Sequence, residues 1–167
     1  MSNKTYELDN FPTWVREDWQ KWYDVARSYR RACKILLDAE VPDRHSYSER
    51  DVLPILNLLR HYAELVIKCF LSRSGDLALG SHNLAALKQR LDKIHPDLFS
   101  ADVWAFLQFL NSVDTTGSAL RYPVDMSNQQ FFTDASGRHT IDLAYLYPVA
   151  RRMFADVAKF VGEPEVA

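Results

Sequence analysis

Cysteine is scarce in this chain: Cys33 and Cys69 are the only two, and they form no CxxC. Both fall on apolar helical stripes, so they read as buried free thiols of a reducing cytoplasm, not as a disulfide framework. No apolar run approaches the roughly 20 residues of a membrane-spanning helix, and no membrane is expected. The opening MSNKTYELDNFPTW lacks a basic-then-apolar pattern, so no signal peptide is expected either. Nucleotide and hydrolase signatures are missing too: there is no Walker loop, GxGxxG, GxSxG or HExxH. His45, His61, His82, His95 and His139 show no zinc-ligand spacing, and the Glu-x-x-His of four-helix di-metal proteins does not occur. Neither metal nor cofactor is expected. An excess of one charge is also lacking. Twenty Lys and Arg face 22 Asp and Glu, a net charge of −2, so there is no global drive towards nucleic acid and any basic site must be local.

What is present is apolar residue at helical spacing. With 47% hydrophobic and 25% charged residues in 167, the chain suits one globular domain with a substantial core. Residues 1–12 read as a loose segment and 13–162 as a single helical bundle domain. The first helix, about 13–40, carries Val15, Trp19, Trp22, Ala26, Tyr29, Cys33 and Leu36 at intervals of three and four, with Thr13 as N-cap. Its outer face, Arg16, Lys21, Arg27, Arg30, Arg31 and Lys34, is basic: solvated surface, or a face for RNA or phosphate. A second helix runs from Asp51, its expected cap, to about Ser74, with Pro54 in the first turn and Gly75 as left-handed C-terminus. A third, opening at Ser81, turns Leu84, Leu87, Leu91 and Ile94 to one side. The fourth, from Ser100, turns Val103, Trp104, Leu107, Leu110 and Val113 inward. A less helical stretch with a candidate β-hairpin around 131–141 follows. Thr140 then caps a fifth helix with Leu143, Leu146, Ala150, Met153, Val157 and Phe160 inward, where Pro148 bends the helix or marks its start. The expected fold is therefore all-α, an antiparallel bundle of about five helices with a short irregular or hairpin segment before the last.

The second helix is apolar nearly all round, which marks it as central. At about 100° per residue, its polar Asn57, His61, Glu64 and Lys68 fall within about 60° of one another, with Arg60 at the margin. Charges are rarely buried without partners. This seam is either an ion-pair network registering the bundle or a groove in which Arg60, His61 and Lys68 meet an anion while Glu64 orients them. His82 and Asn83, expected in the first turn of helix three, lie where the helix dipole also favours an anion. Capping accounts for Ser81 and Asn83 equally well. Arg121, Tyr122 and Asp125 form another cluster. Asp114 can meet Arg121 across the turn, and Tyr122 or Phe131 can stack on a base if RNA is bound.

LRHYAELVIKCFL, then SHNLAALKQRL, then a helix ending at Asp114 before LRYPVD, together resemble the bacterial HEPN superfamily over about residues 13–162. Ser81-His82-Asn83-Leu84 is similar to the family's Gly-His-Asp-Leu-like helix opening, with Ser and Asn substituted. The resemblance implies a compact, usually homodimeric, antiparallel bundle from a toxin–antitoxin, phage-defence or RNA-processing system, in some cases beside a nucleotidyltransferase. Its ribonucleases use an Arg and a His four to six residues apart near the last long helix. Here Arg90 and His95 in RLDKIH have the spacing but sit at the end of helix three. Arg138-His139 has the place but not the spacing. That departure favours a binding or regulatory module that engages a protein partner, RNA or a nucleotide ligand through the seam and the His82 region. Two alternatives stand beside it. One is a metal-independent ribonuclease in which Arg60, His61, Glu64 and His82 do acid–base and phosphate-holding work and Asn57, Lys68, Asn83, Arg121 and Tyr122 bind ligand. The other is a bundle for protein–protein interaction alone.

Overall fold

Every residue from Tyr62 to Ser72 is buried, so the helix that carries them is covered on all sides. This computed structural model describes residues 19–40, 49–117, 120 and 143–162. They form five helices: α1 (Trp19–Glu40), α2 (Glu49–Arg73), α3 (Leu84–Leu91), α4 (Ala101–Val113) and α5 (Leu143–Val161), with no strand among the described residues. The expected caps Thr13 and Thr140, the N-terminal segment and the 131–141 hairpin lie outside the described residues.

Side-chain contacts fix the helix directions around α2. Along α1 the pairs run in reverse order: Cys69 Sγ donates to Trp19 O at 3.4 Å, Lys68 lies 5.9 Å above the Trp22 ring, and Tyr29 meets His61 at 4.5 Å. The two helices are therefore antiparallel. Tyr62–Phe154 and Phe70–Phe160 ring contacts at 5.2 and 5.1 Å run in the same order, so α5 lies parallel to α2. Helix α4 opposes α5. Asp156 Oδ2 accepts from Ser100 N (2.9 Å) and Ser100 Oγ (2.8 Å), and Arg152 pairs with Asp102. The core is a contiguous cluster drawn from all five helices, including Cys33, Leu59, Val66, Leu87, Leu107 and Met153. The expected helical bundle is what the chain forms.

Helix ends depart from the sequence expectation in informative ways. Gly75, at φ 83°, closes α2 as expected: Asp76 N donates to Leu71 O and Gly75 N to Ser72 O, both at 2.9 Å. At the other end α2 begins at Glu49, so Asp51 is not its cap and Pro54 stands inside the helix, past the first turn. The ring there removes one intrahelical donor, which an exposed position next to the N-terminus tolerates. Pro148 likewise stands inside α5 and does not begin it. Helix α3 starts at Leu84 with Asn83 as its cap: Asn83 Oδ1 accepts from Ala86 N at 3.0 Å. Ser81 acts one step earlier, accepting from Asn83 N at 3.2 Å, so His82 precedes the cap and neither His82 nor Asn83 lies in the first turn. Because α3 ends at Leu91, Ile94 falls beyond the helix and is exposed, not inward. Phe160 is also exposed, its ring edge still against Phe70 and His95. Leu37, four residues after Cys33, and Phe106, three after Val103, are buried positions that the stripes left out.

Candidate functional site

Arg60, Glu64 and Lys68 sit one turn apart on α2 and form a closed network at 2%, 2% and 4% exposure. Glu64 is its centre. One carboxylate oxygen, Oε2, takes Arg60 Nη1 at 3.1 Å; the other, Oε1, takes Lys68 Nζ at 2.8 Å and His82 Nδ1 at 2.9 Å. Arg60 reaches two other elements. Its Nε donates to Asp114 O at 2.9 Å, just past α4, and its Nη2 donates to His82 O at 2.6 Å, in the segment before α3. The Asp114 carboxylate adds an ion pair to Arg60 Nε at 3.8 Å and accepts from Leu120 N at 3.2 Å. Two cations and two acidic side chains thus balance inside the bundle, and one guanidinium joins α2, the α3 approach and the end of α4. Helical spacing puts the three α2 residues on one line. The apolar surroundings then make their pairing obligatory.

The network sets the acidity of its centre. Burial alone would raise the Glu64 carboxyl. The hydrogen bond from Lys68 and the charges of Lys68, His82 and Arg60 outweigh it and hold the group below the ordinary 4.5. An ionised Glu64 requires a proton on His82 Nδ1, which leaves Nε2 as the acceptor of the neutral ring. With its side chain 52% exposed, His82 is the one member of the network that reaches solvent.

The candidate residues therefore separate. Arg60, Glu64, Lys68 and His82 come together. His61, 100° round the helix from Arg60, packs edge-on against Tyr29 of α1, with ring planes at 61°. Asn57 lies half-buried three residues before Arg60, and Asn83 caps α3. Two of the first donors of α3 are engaged, Leu84 N by Asn111 Oδ1 at 2.8 Å and Ala86 N by Asn83 Oδ1 at 3.0 Å, which is the capping reading of that terminus. Arg121, Tyr122, Asp125, Phe131, Arg138 and His139 lie outside the described residues.

Arg90 and His95 do not form a joint site. Arg90 grips Asp76 through Nε at 2.8 Å and again through Nη2, and its Nη1 donates to Ala78 O at 2.5 Å, pinning the loop between α2 and α3. These bonds hold Asp76 below the usual carboxylate range. His95 rests among Phe70 and Phe160, where burial first and then the Arg73 charge lower its basicity. No cluster of three or more His, Cys, Asp or Glu able to hold a metal ion occurs among the described residues.

Sequence reasoning missed Asp114 and Asn111 as partners of the central network and of α3. The signal for Asp114 was present: a carboxylate directly after an apolar helix, in a chain whose central helix buries more cations than anions. A second feature is a groove of about 960 Å³ between α1 and α5, walled by basic residues of both helices. Its α1 side was visible as the basic outer face, whereas Arg151 and Arg152 on α5 were not singled out.

Fold and site together define an all-α bundle with an ion network locked into its central helix and a basic groove on its flank. Compared with known family models, curated proteins and solved structures, the chain matches none.

Proposed function

We propose that this chain is a HEPN-like binding module, the dimeric regulatory or recognition part of a bacterial defence, toxin–antitoxin or RNA-related system, and that it does not cut RNA. The observation that carries this reading is the closure of the central seam. Arg60 and Lys68 are the groups a ribonuclease would use to hold a phosphate, yet both are buried and bonded to Glu64, Asp114 and His82. An internal ion network of this kind registers helices against one another. The resemblance over residues 13–162 and the all-α five-helix architecture support the family assignment. With Arg60 and Lys68 closed off, what the seam leaves for a partner is the half-exposed His82 and, on the flank, the basic groove.

The ribonuclease reading retains one specific support, the His82–Glu64 pair, in which a carboxylate orients a half-exposed imidazole as a general base requires. The experiment that separates the two is incubation of the folded protein with total RNA and tRNA, with and without EDTA, beside His82→Ala. The binding reading expects intact RNA throughout. EDTA-resistant cleavage lost in His82→Ala would replace it with the ribonuclease reading. Sedimentation velocity at micromolar concentration tests the homodimer, and a monomer there counts against it.

A further inference from the structure

The groove between α1 and α5 combines two chemistries. Its walls carry six cations, Arg27, Arg30, Arg31 and Lys34 from α1 with Arg151 and Arg152 from α5, against two carboxylates, Asp24 and Asp38; with Asp102, which pairs with Arg152, the local excess is +3 in a chain whose total is −2. Its floor is apolar: Leu37 from α1 with Phe154, Ala155 and Ala158 from α5. Positive charge is thus concentrated at one place on a chain whose total is negative. A field of that shape captures an acidic partner locally without attracting polyanions in general.

We propose that this groove docks an acidic amphipathic helix of a partner protein. The helix would lay its apolar stripe along the floor, with its Asp and Glu meeting the arginines of both walls. Small side chains at Ala155 and Ala158 let a helix about 10–12 Å across approach closely, and apolar anchors on a groove floor are how such helices are held. Guanidinium forks suit carboxylates bidentately. Single-stranded nucleic acid fits less well, because its sites add open aromatic faces for base stacking to a basic groove. The two rings here are otherwise engaged. Tyr147 lies under the Arg151 guanidinium at 5.7 Å, with its hydroxyl donating to Asp38 Oδ1 at 3.2 Å, and Phe154 meets Tyr62 edge to face. The two wall carboxylates also oppose a polyphosphate. This inference rests on the binding-module reading and names its partner's chemistry.

The test is selection of a library of 20-residue helical peptides on the full chain and on an Arg31→Glu/Arg151→Glu variant, both shown by circular dichroism to be folded. Both arginines are exposed, and their reversal leaves the core untouched. Selection on the wild type should enrich peptides with apolar residues at i, i+3, i+4 and i+7 flanked by Asp and Glu. Their affinity, read by fluorescence anisotropy, should fall by about tenfold or more in the variant and with added salt. Winners without acidic bias, or winners that bind the variant equally, would overturn the proposal. So would tighter binding of a 20-nucleotide oligouridine than of any winner, or a dimer that the two substitutions dissociate, since the groove would then belong to RNA or to a second copy. RNA cleavage by the wild type would sink the binding-module reading while leaving the peptide result independently readable.

Discussion

Glu64 keeps its charge inside the protein because hydrogen bonds from Lys68, Arg60 and His82 converge on its two oxygens. A carboxyl whose folded pKa lies below its unfolded one contributes stability that is complete above the unfolded value. That contribution fades as the pH falls through the folded value. Unfolding midpoints measured from pH 7 downward should therefore begin to fall below about 4.5, and Glu64→Gln should flatten that slope; an unchanged slope in the variant would mean that Glu64 does not control it. The two thiols make an independent check. Burial pushes both Cys33 and Cys69 up to about 12, with the Arg73 charge only partly opposing it at Cys69. Thiolate-dependent alkylation at pH 8 should label neither in the folded protein and both after denaturation. At this scale the sequence already spoke clearly. The i, i+4, i+8 spacing of Arg60, Glu64 and Lys68 announced a ladder, but left open whether it was an internal ion network or an open groove. The sequence did not reveal Asp114 and the His82 carbonyl as the far ends of the Arg60 bonds, because those contacts span 54 and 22 residues and depend on how the helices stack.

The helices owe their ends to particular side chains. Asn83 caps α3 within its own segment, so Asn83→Ala should cost about 1 kcal/mol, measured by urea unfolding. Helix α4 is different. Ser100 makes no cap bond with its own side chain, and both its N–H and its hydroxyl turn to Asp156 on α5. The cap is therefore a tertiary contact. Asp156→Ala should lower stability by a comparable amount, about 1 kcal/mol, and should loosen α4 against α5, visible as faster amide exchange at the start of α4. An exchange pattern identical to the wild type would show that α4 caps itself. Helix existence and inward stripes were legible because apolar residues recur at three and four. The start of α2 was set three residues late and the cap of α3 two residues early, because Asp51 and Ser81 are competent cap residues in their own right, and local chemistry does not decide between neighbours. Ile94 and Phe160 continue their stripes in sequence but fall beyond or at the end of a helix, where each stays more than a third exposed.

On the scale of the whole molecule, one arginine on the central helix ties three elements together, and six basic side chains gather between α1 and α5. No helix among the described residues is long and apolar enough to cross a membrane. The bundle was readable from periodicity. The pairing of α1 with α5 was not, since it joins positions more than 100 residues apart, such as Asp38 and Tyr147. The account stands on the claim that the seam is an internal lock and not an open site. The direct measurement is equilibrium urea unfolding of Glu64→Leu beside the wild type at pH 7. Leaving Arg60 and Lys68 buried without their carboxylate should cost about 3–5 kcal/mol, or abolish folding altogether. A variant as stable as the wild type, within about 0.5 kcal/mol, would contradict the lock and return the seam to the candidates for ligand binding.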